Sequence, residues 1–312
     1  MKIVFMGTPD FASEILRSLH IAGHEIVLVV SQPDRPRGRG SKMQATSVKE
    51  CALELGLEVY QPKKIKEQEA IDYLKDYNAD VFVVAAFGQI LPKAVLDMPK
   101  ECCINVHASL LPKYRGASPI QRAVLNGDKV SGVTIMKMAE GMDTGDIILQ
   151  KEIKLNADET AGSLFERLAT LGGEACNEAL DLIENNTATY TAQDNNKATY
   201  TKPIKKEEGL IDFNQDAITI ERLIRGMNPW PSAFTYLDSK MLKVWSASVS
   251  ETKSGKPGEV ISVGKEGIEV ATTDASIVLK EIQLAGKKRM SADAFLRGYS
   301  IEVGTLLGKR ED

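Results

Sequence analysis

The sequence predicts an α/β protein in which a mostly parallel sheet covered by helices is followed by a small β-barrel. Up to residue 183, strand-like and helix-like segments alternate, which is typical of parallel sheets packed between helices. From residue 243 onward, short strand-like runs follow one another closely, which favours a barrel. Between them lies a polar stretch, 185–206, rich in Asn, Thr and Lys, which we interpret as a linker over the surface.

The first domain begins with a β-branched run at residues 2–6, which predicts the first strand. We expect Thr8 to cap the following helix, with Pro9 in its first position and Gly23 at its end. Further apolar runs predict the other strands, at 25–31, 80–87, 102–106, 131–138 and 147–155. Helical spacing of apolar residues predicts helices at 48–55, 120–125 and 160–183.

The second domain begins with a predicted helix and continues as strands. Helical patterns cover 218–225 and, near the end, 292–297. Short strands are predicted at 243–249, 259–263, 268–272 and 277–284, with a glycine-containing turn at 264–267. We therefore divide the chain into a first domain, 1–188, a linker, 189–206, and a second domain, 207–312.

The composition is that of an ordinary globular chain. Of its 312 residues, 43% are hydrophobic and 26% charged, which excludes a disordered or fibrous protein. The longest apolar stretch, 81–87, is far shorter than a membrane span, and the apolar start of the chain is too short for a signal peptide. We expect a cytoplasmic monomer that does not associate with membranes. Because the net charge is −4, a surface that binds nucleic acid must be local.

The cysteines give no pattern of metal ligands or disulfides. Cys102 and Cys103 are adjacent and cannot easily form a bridge with each other, and no C-x-x-C spacing suggests zinc. We expect buried, reduced thiols and no metal. Gly7 follows the first strand as in a dinucleotide-binding turn, but the further glycines of that motif are missing and Asp10 would repel a pyrophosphate.

The strongest chemical signal is an N-x-H triplet at the end of a predicted buried strand. Asn105 and His107 are two residues apart, so in an extended chain they project from the same face. Ligands of open α/β sheets bind at the carboxyl ends of strands. An amide can stabilise an oxyanion and an imidazole can move a proton, so the pair suits acyl transfer. The alternative is a loop histidine bonded to the backbone.

A second candidate lies in the acidic loop after the strand at 131–138. Asp143 stands between Gly141 and Gly145, where it could reach a histidine on a neighbouring strand and favour the imidazolium form. The alternative is a turn aspartate that bonds its own backbone. The spacing alone leaves open whether Asp143 and His107 meet.

The segment 105–119, NVHASLLPKYRGASP, resembles the signature of the formyltransferase family that uses 10-formyltetrahydrofolate. The resemblance implies a catalytic set of Asn105, His107 and Asp143, the last within GMDTGD. It also implies a Rossmann-like first domain with helices on both faces of its sheet, an OB-like barrel as the second domain, and no metal. The implied folate site comprises Ser109, Leu110, Leu111, Pro112, Phe87, Gly88, Gln89, Ile90, Leu91, Gly141 and Met142.

Motifs outside this segment resemble the branch of the family that acts on methionyl initiator tRNA in translation initiation. They are IVFMGTPDFA at 3–12, QPDRPRGRG at 32–40, QP at 61–62, TKPI at 201–204 and RGMNPWP at 225–231. The resemblance implies a tRNA-binding second domain and a tRNA-recognition loop containing Arg35, Arg37, Arg39 and Lys42. Pro36 and the glycines exclude a regular helix there, so we expect a mobile surface loop. The alternative is a solvated loop that is basic only for solubility.

Two other functions stay open. A formyltransferase of sugar-nucleotide amines shares the catalytic motif and a second domain, although it resembles the arginine-rich loop poorly. A non-catalytic module that binds folate or RNA would need no set of Asn105, His107 and Asp143, so turnover decides that case.

Overall fold

The computed structural model describes residues 1–37 and 42–308, and the side chains of Arg37 and Lys42 also lie outside this description. The chain separates into two compact units, neither of which is continuous in sequence. Unit 1 contains Met1–Pro119, Val130–Lys154 and Phe165–Thr201, and unit 2 contains Ile120–Lys129, Leu155–Leu164 and Lys202–Asp312.

The elements up to the end of unit 1 alternate between strands and helices, as predicted. They are β1 (Lys2–Gly7), α1 (Asp10–Ile21), β2 (Glu25–Val30), β3 (Arg35–Arg37), β4 (Lys42–Gln44), α2 (Ser47–Glu54), β5 (Val59–Tyr60), α3 (Gln68–Lys75), β6 (Val81–Ala85), α4 (Lys93–Leu96), β7 (Cys102–His107), β8 (Arg115–Gly116), α5 (Pro119–Leu125), β9 (Val130–Lys137), β10 (Ile147–Lys154), α6 (Ala161–Glu184) and β11 (Tyr200–Thr201).

The sheet of unit 1 has seven strands in the order β10-β9-β7-β6-β1-β2-β5. The strands from β7 to β5 run parallel, whereas β9 runs antiparallel to both β7 and β10. The mostly parallel sheet predicted from the alternation is confirmed. Parallel strands end at the same edge, so the segments after β1, β6 and β7 begin side by side.

Helices cover both faces of this sheet. On one face, α3 and the segment around α4 pack against alternate residues of the strands, such as Val4 and Met6 of β1. On the other face lie α1 and α6, where Gly172 of α6 approaches Val106 of β7 and Ile15 of α1 so closely that a side chain would touch both. The four cysteines of the chain are buried and unbridged. No helix within the described ranges is long and apolar enough to cross a bilayer.

The first helix begins differently from the prediction. It starts at Asp10, and Pro9 stands at the preceding position without a side-chain cap. The Thr8 hydroxyl instead donates to the carbonyl oxygen of Phe87 at 2.9 Å. The expected capping by Thr8 is therefore wrong, because the hydroxyl ties the ends of β1 and β6 together.

The arginine-rich segment also differs from the expected irregular loop. Strands β3 and β4 pair antiparallel, with Arg35 opposite Gln44 and Arg37 opposite Lys42. Pro36 is compatible with this ribbon because an edge strand tolerates a missing N–H donor. Arg39 lies outside the described residues. Another difference is that β11, at the end of the predicted linker, pairs with β8 in unit 1.

Unit 2 is an antiparallel β domain with helices packed against it. Its elements are α7 (Ala217–Gly226), β12 (Ala233–Leu237), β13 (Lys240–Ser250), β14 (Val260–Gly264), β15 (Gly267–Ala271), β16 (Ser276–Leu284), β17 (Met290–Ser291) and α8 (Ala292–Leu296). The strand order is β12-β13-β16-β15-β14, with β17 beside β16.

The end of the described chain closes this sheet. Gly308 pairs with Tyr236 of β12, and Leu306 pairs with Glu259 just before β14. The last segment thus pairs with both edges of the sheet and closes it into a barrel around a hydrophobic core. The barrel predicted from the short strands is confirmed.

Candidate active site

The predicted catalytic residues meet at the carboxyl end of β7. Asn105 and His107 lie on β7, and Asp143 lies in the turn between β9 and β10. Because β9 is hydrogen-bonded to β7, that turn lies beside the end of β7. The Nδ1 atom of His107 is 3.7 Å from Oδ2 of Asp143. The structure thus shows the proximity that sequence spacing left open.

His107 is held with both ring nitrogens facing oxygen atoms. The side chain is buried, and its Nε2 lies 3.0 Å from the carbonyl oxygen of Tyr114. Since a carbonyl oxygen only accepts, Nε2 carries a proton and donates it to Tyr114. The carboxylate of Asp143 faces Nδ1 at more than hydrogen-bond length. The arrangement suits a histidine that donates a proton or a hydrogen bond.

Asp143 is fixed by groups that are distant in sequence. Its Oδ2 accepts from the backbone N–H of Gly116 at 2.7 Å. Its backbone carbonyl accepts from Nε2 of Gln193 at 2.9 Å. The residue has a φ of 51°, in the left-handed region that aspartate tolerates better than most residues. These contacts differ from the alternative of a turn aspartate bonded to its own loop.

The Asn105 side chain differs from those of His107 and Asp143 in its hydrogen bonding. It is half-buried, and its amide makes no hydrogen bond to any residue of the described ranges. A polar group that is partly withdrawn from water without a partner costs stability unless a ligand satisfies it. The amide is therefore available to donate to a bound oxygen atom.

The predicted folate residues after β7 divide into two kinds. Ser109 and Leu111 are buried, and they hold their loop to the sheet. The Ser109 hydroxyl donates to a carbonyl of its own loop at 2.7 Å, and the Leu111 N–H donates to the Thr134 hydroxyl at 3.0 Å. Leu110 and Pro112 are partly exposed. Ser109 and Leu111 therefore shape this loop, while Leu110 and Pro112 present surface.

The predicted folate residues after β6 and before Asp143 also differ in exposure. Phe87 is buried, and the Gln89 side-chain oxygen accepts from the Ile65 N–H at 2.7 Å, which anchors the loop. By contrast, Ile90 is 86% exposed and Met142 is 62% exposed. Two large apolar side chains so open to water are available to cover a flat ligand.

A cavity of about 550 Å³ lies where β1, β2 and β6 end, and it lies wholly within unit 1. Its walls include Asp10, Gln32, Arg35 and Phe87. Of the predicted tRNA-binding side chains, the described residues include only that of Arg35, which is exposed. Met43, on the facing strand β4, is also exposed, at 64%.

Sequence reasoning missed two residues that contact the site, Arg115 and Gln193. Arg115 is 1% exposed, and its Nε and Nη2 atoms donate to the Gln193 side-chain oxygen at 3.1 and 2.9 Å. Gln193 lies in a polar stretch without periodicity, so no local signal marked it. Among the described residues, no group of three or more His, Cys, Asp and Glu is placed to hold a metal ion.

Comparison with known proteins gives matches over both units. Residues 1–180 match the family described as formyl transferase, and residues 203–300 match the formyl transferase C-terminal domain. A methionyl-tRNA formyltransferase from Agathobacter rectalis is 54% identical over 306 residues, which covers 98% of this chain and 99% of that protein. A methionyl-tRNA formyltransferase from Clostridioides difficile is 48% identical over 309 residues, with 99% and 100% coverage.

Solved structures show a similar fold. An N-formyltransferase from Helicobacter canadensis, in complex with folinic acid and dTDP-3-aminofucose, has a TM-score of 0.66 at 20% identity and covers 89% of this chain and 98% of its own. HypX from Aquifex aeolicus, in complex with tetrahydrofolic acid, has a TM-score of 0.65 at 18% identity, and this chain spans 50% of it. At these identities the likeness concerns the fold alone.

Proposed function

This chain belongs to the formyl transferase family, and from that premise we propose that it transfers the formyl group of 10-formyltetrahydrofolate to the α-amino group of methionyl initiator tRNA, for translation initiation. It is an enzyme of one-carbon group transfer. The acceptor is supported by relatives of 45–54% identity over nearly the full chain, all of them methionyl-tRNA formyltransferases. The sugar-nucleotide alternative has less support, because the sugar N-formyltransferases of similar fold are only 18–20% identical.

The observation that carries the proposal is the unpartnered Asn105 amide beside the His107–Asp143 pair. Attack of a neutral amine on a formyl carbon places negative charge on the formyl oxygen. Asn105 would donate a hydrogen bond to that oxygen, and preorganised donors of this kind stabilise such charge strongly. His107 would add a second donor or deliver a proton, and Asp143 would keep its ring oriented. As the carbon–nitrogen bond to tetrahydrofolate breaks, the proton lost by the amine ends on the departing nitrogen.

Recognition of tRNA by an acidic protein requires local positive charge. We assign this role to the β3–β4 hairpin, because Arg35 is exposed and lies at the cavity where β1, β2 and β6 end. Arginine suits phosphate groups and unpaired bases. In unit 2, Arg289 is already paired with both carboxylate oxygens of Glu281, so it is a poor candidate for a phosphate contact.

The test is a formylation assay with 10-formyltetrahydrofolate and charged initiator tRNA, run beside an amino-sugar nucleotide and glycinamide ribonucleotide. We expect turnover with the charged initiator tRNA and none with the other two acceptors. Activity should persist in EDTA, because the proposed chemistry uses only side chains. Turnover with the sugar nucleotide alone would support the alternative acceptor, and binding without turnover would support a non-catalytic module.

A further inference from the structure

The turn between β9 and β10 carries Asp143, and we call it the catalytic turn. A glutamine side chain that is distant in sequence, Gln193, bonds its backbone. Nε2 of Gln193 donates to the carbonyl oxygens of Asp143 at 2.9 Å and of Gly145 at 2.7 Å. A side-chain amide nitrogen has two hydrogens, so both are used on this turn. We propose that Gln193, oriented by the buried guanidinium of Arg115, is a positioning residue that keeps Asp143 against His107, an inference that rests on the proposed function.

The orientation of the Gln193 amide is decided by Arg115. A guanidinium only donates, so the oxygen of the amide must face Arg115 and the nitrogen must face the turn. Two further guanidinium donors bond Asn195 at 2.9 Å and the Tyr200 hydroxyl at 3.1 Å. The amide is therefore fixed in the one orientation that can hold the Asp143 and Gly145 carbonyls.

The burial of Arg115 indicates a role beyond packing. It is 1% exposed, and its hydrogen-bond acceptors among the described residues are neutral. Burying a charge without an opposite charge is unfavourable, and an apolar side chain of similar volume fills such a space at lower cost. What an apolar side chain does not supply is a set of directed donors. The donors hold the segment that carries Gln193, which lies between the isolated β-bridge of Thr191 with Ile147 and the short 3-10 helix at Asn195–Lys197.

The turn transmits this constraint to the carboxylate. Asp143 has a left-handed backbone, with a φ of 51°, and the carbonyl held by Gln193 belongs to the same residue. The same carboxylate oxygen receives the Gly116 N–H at 2.7 Å and faces His107 at 3.7 Å. If the carbonyl were released, Asp143 could leave the left-handed region and move its carboxylate away from the ring. Displacements of about 1 Å in an active site can cost roughly 100-fold in rate.

The experiment compares Gln193→Leu, Gln193→Glu and a matched control, Gln68→Leu, on the exposed start of α3. Leucine removes every hydrogen bond, whereas glutamate keeps an acceptor for Arg115 but removes both hydrogens that hold the turn. We expect both Gln193 variants to lower kcat about 10- to 100-fold, with KM for each substrate within about twofold, and Gln68→Leu to match the wild type. If Gln193→Leu does not fold, Gln193→Glu, which keeps the bond to Arg115, still decides the question.

A double-mutant cycle separates positioning from a general structural role. Asp143→Asn removes the charge through which Gln193 would act, so Gln193→Glu should cause little further loss in that background. The proposal would be overturned if the kcat losses of Asp143→Asn and Gln193→Glu simply multiplied in the double variant. It would also be overturned if Gln193→Glu kept the wild-type kcat, or if only its KM rose. The proposed function fails separately, if the wild-type protein does not formylate charged initiator tRNA.

Discussion

The Asn105 side chain has free hydrogen-bonding capacity at a position where neighbouring side chains are bonded. His107 is bonded to a backbone carbonyl, and Asp143 to a backbone amide. A side chain without a partner adds little to the folded state, so its removal should leave the fold intact. Removal of the Asn105 side chain should instead lower the rate of the reaction.

We therefore expect Asn105→Ala to lower kcat by about 100- to 1000-fold, the usual loss for one oxyanion donor. The melting temperature and the affinity for 5-formyltetrahydrofolate, measured by calorimetry, should change little. His107→Ala should be as severe in rate, because a second donor is lost. A folded Asn105→Ala protein with a near wild-type rate would refute the catalytic assignment.

Asp34 makes a pH-dependent contribution to stability next to the arginine hairpin. The Gln61 amide and the Lys49 ammonium donate to the carboxylate, both at 2.7 Å, and hold the pKa of Asp34 below its usual value. A lowered carboxyl pKa stabilises the fold above the ordinary value of about 3.9, and this stability is lost as the pH falls below it.

Asp34→Asn should therefore lower the free energy of unfolding at pH 7, by about 1 kcal/mol for a partly exposed pair. At pH 3 the difference from the wild type should be smaller, because the unfolded carboxyl is protonated below its ordinary pKa and part of the stabilisation is lost. Denaturant unfolding at both pH values measures this. An equal loss at pH 3 and pH 7 would show that packing, and not charge, explains the effect.

At the scale of elements, the β3–β4 hairpin combines exposed basic and apolar residues. Arg35 and Met43 are both exposed, and Pro36 faces Met43 in the antiparallel pairing. A short ribbon can present side chains to both sides, which suits insertion beside a nucleic-acid helix better than contact with a flat surface. The hairpin leaves the same edge of the sheet at which His107 lies.

Replacing Arg37 and Arg39 together with alanine should raise KM for tRNA strongly and leave the folate affinity unchanged. The salt dependence of tRNA binding should become shallower by about one unit of slope per lost phosphate contact. Arg17→Ala is the matched control, since it removes a partly exposed arginine of unit 1 that pairs with Glu54. If the double variant and the control behave alike, the hairpin is only a solvated surface.

At the scale of the whole molecule, unit 2 includes segments that come from the middle of the chain. Leu125 of α5 packs against the core of the barrel, and Arg122 pairs with Glu208 at 2.7 Å. Arg225 of α7 donates to the backbone carbonyl of Glu159 at 2.7 Å. Removing the C-terminal part of the chain therefore removes the partners of residues that precede it by many positions.

A chain that ends at Thr201 should be less stable than the full chain and should bind a hydrophobic dye. A fully buried leucine contributes about 1.5–3 kcal/mol, and the partly buried Leu125 contributes less. Each kcal/mol corresponds to about 2–4 °C of melting temperature in a unit of this size. Calorimetry of both chains measures the shift of the melting transition. Identical melting with no dye binding would show that the first part of the chain folds independently.

From the sequence alone we could predict the alternation of strands and helices, the closely spaced barrel strands and the pair Asn105–His107. Each depends on periodicity or on a spacing of two residues, which are local properties that a strand or helix expresses wherever it lies. Helix α3 was not predicted, and the β3–β4 ribbon was expected to be an irregular loop because Pro36 and the glycines exclude a regular helix there.

Two contacts are visible only in the three-dimensional structure. Asp143 reaches His107, and Gln193 holds the catalytic turn. Both contacts depend on which strands are neighbours, here β9 beside β7 and β11 beside β8. Thr8 shows the same dependence, because its hydroxyl had a local role available at the helix start and instead bonds the carbonyl of Phe87 on another strand's loop. A polar side chain can satisfy its hydrogen bonds equally well with near or distant partners, and the packing of the sheet determines which partner is within reach.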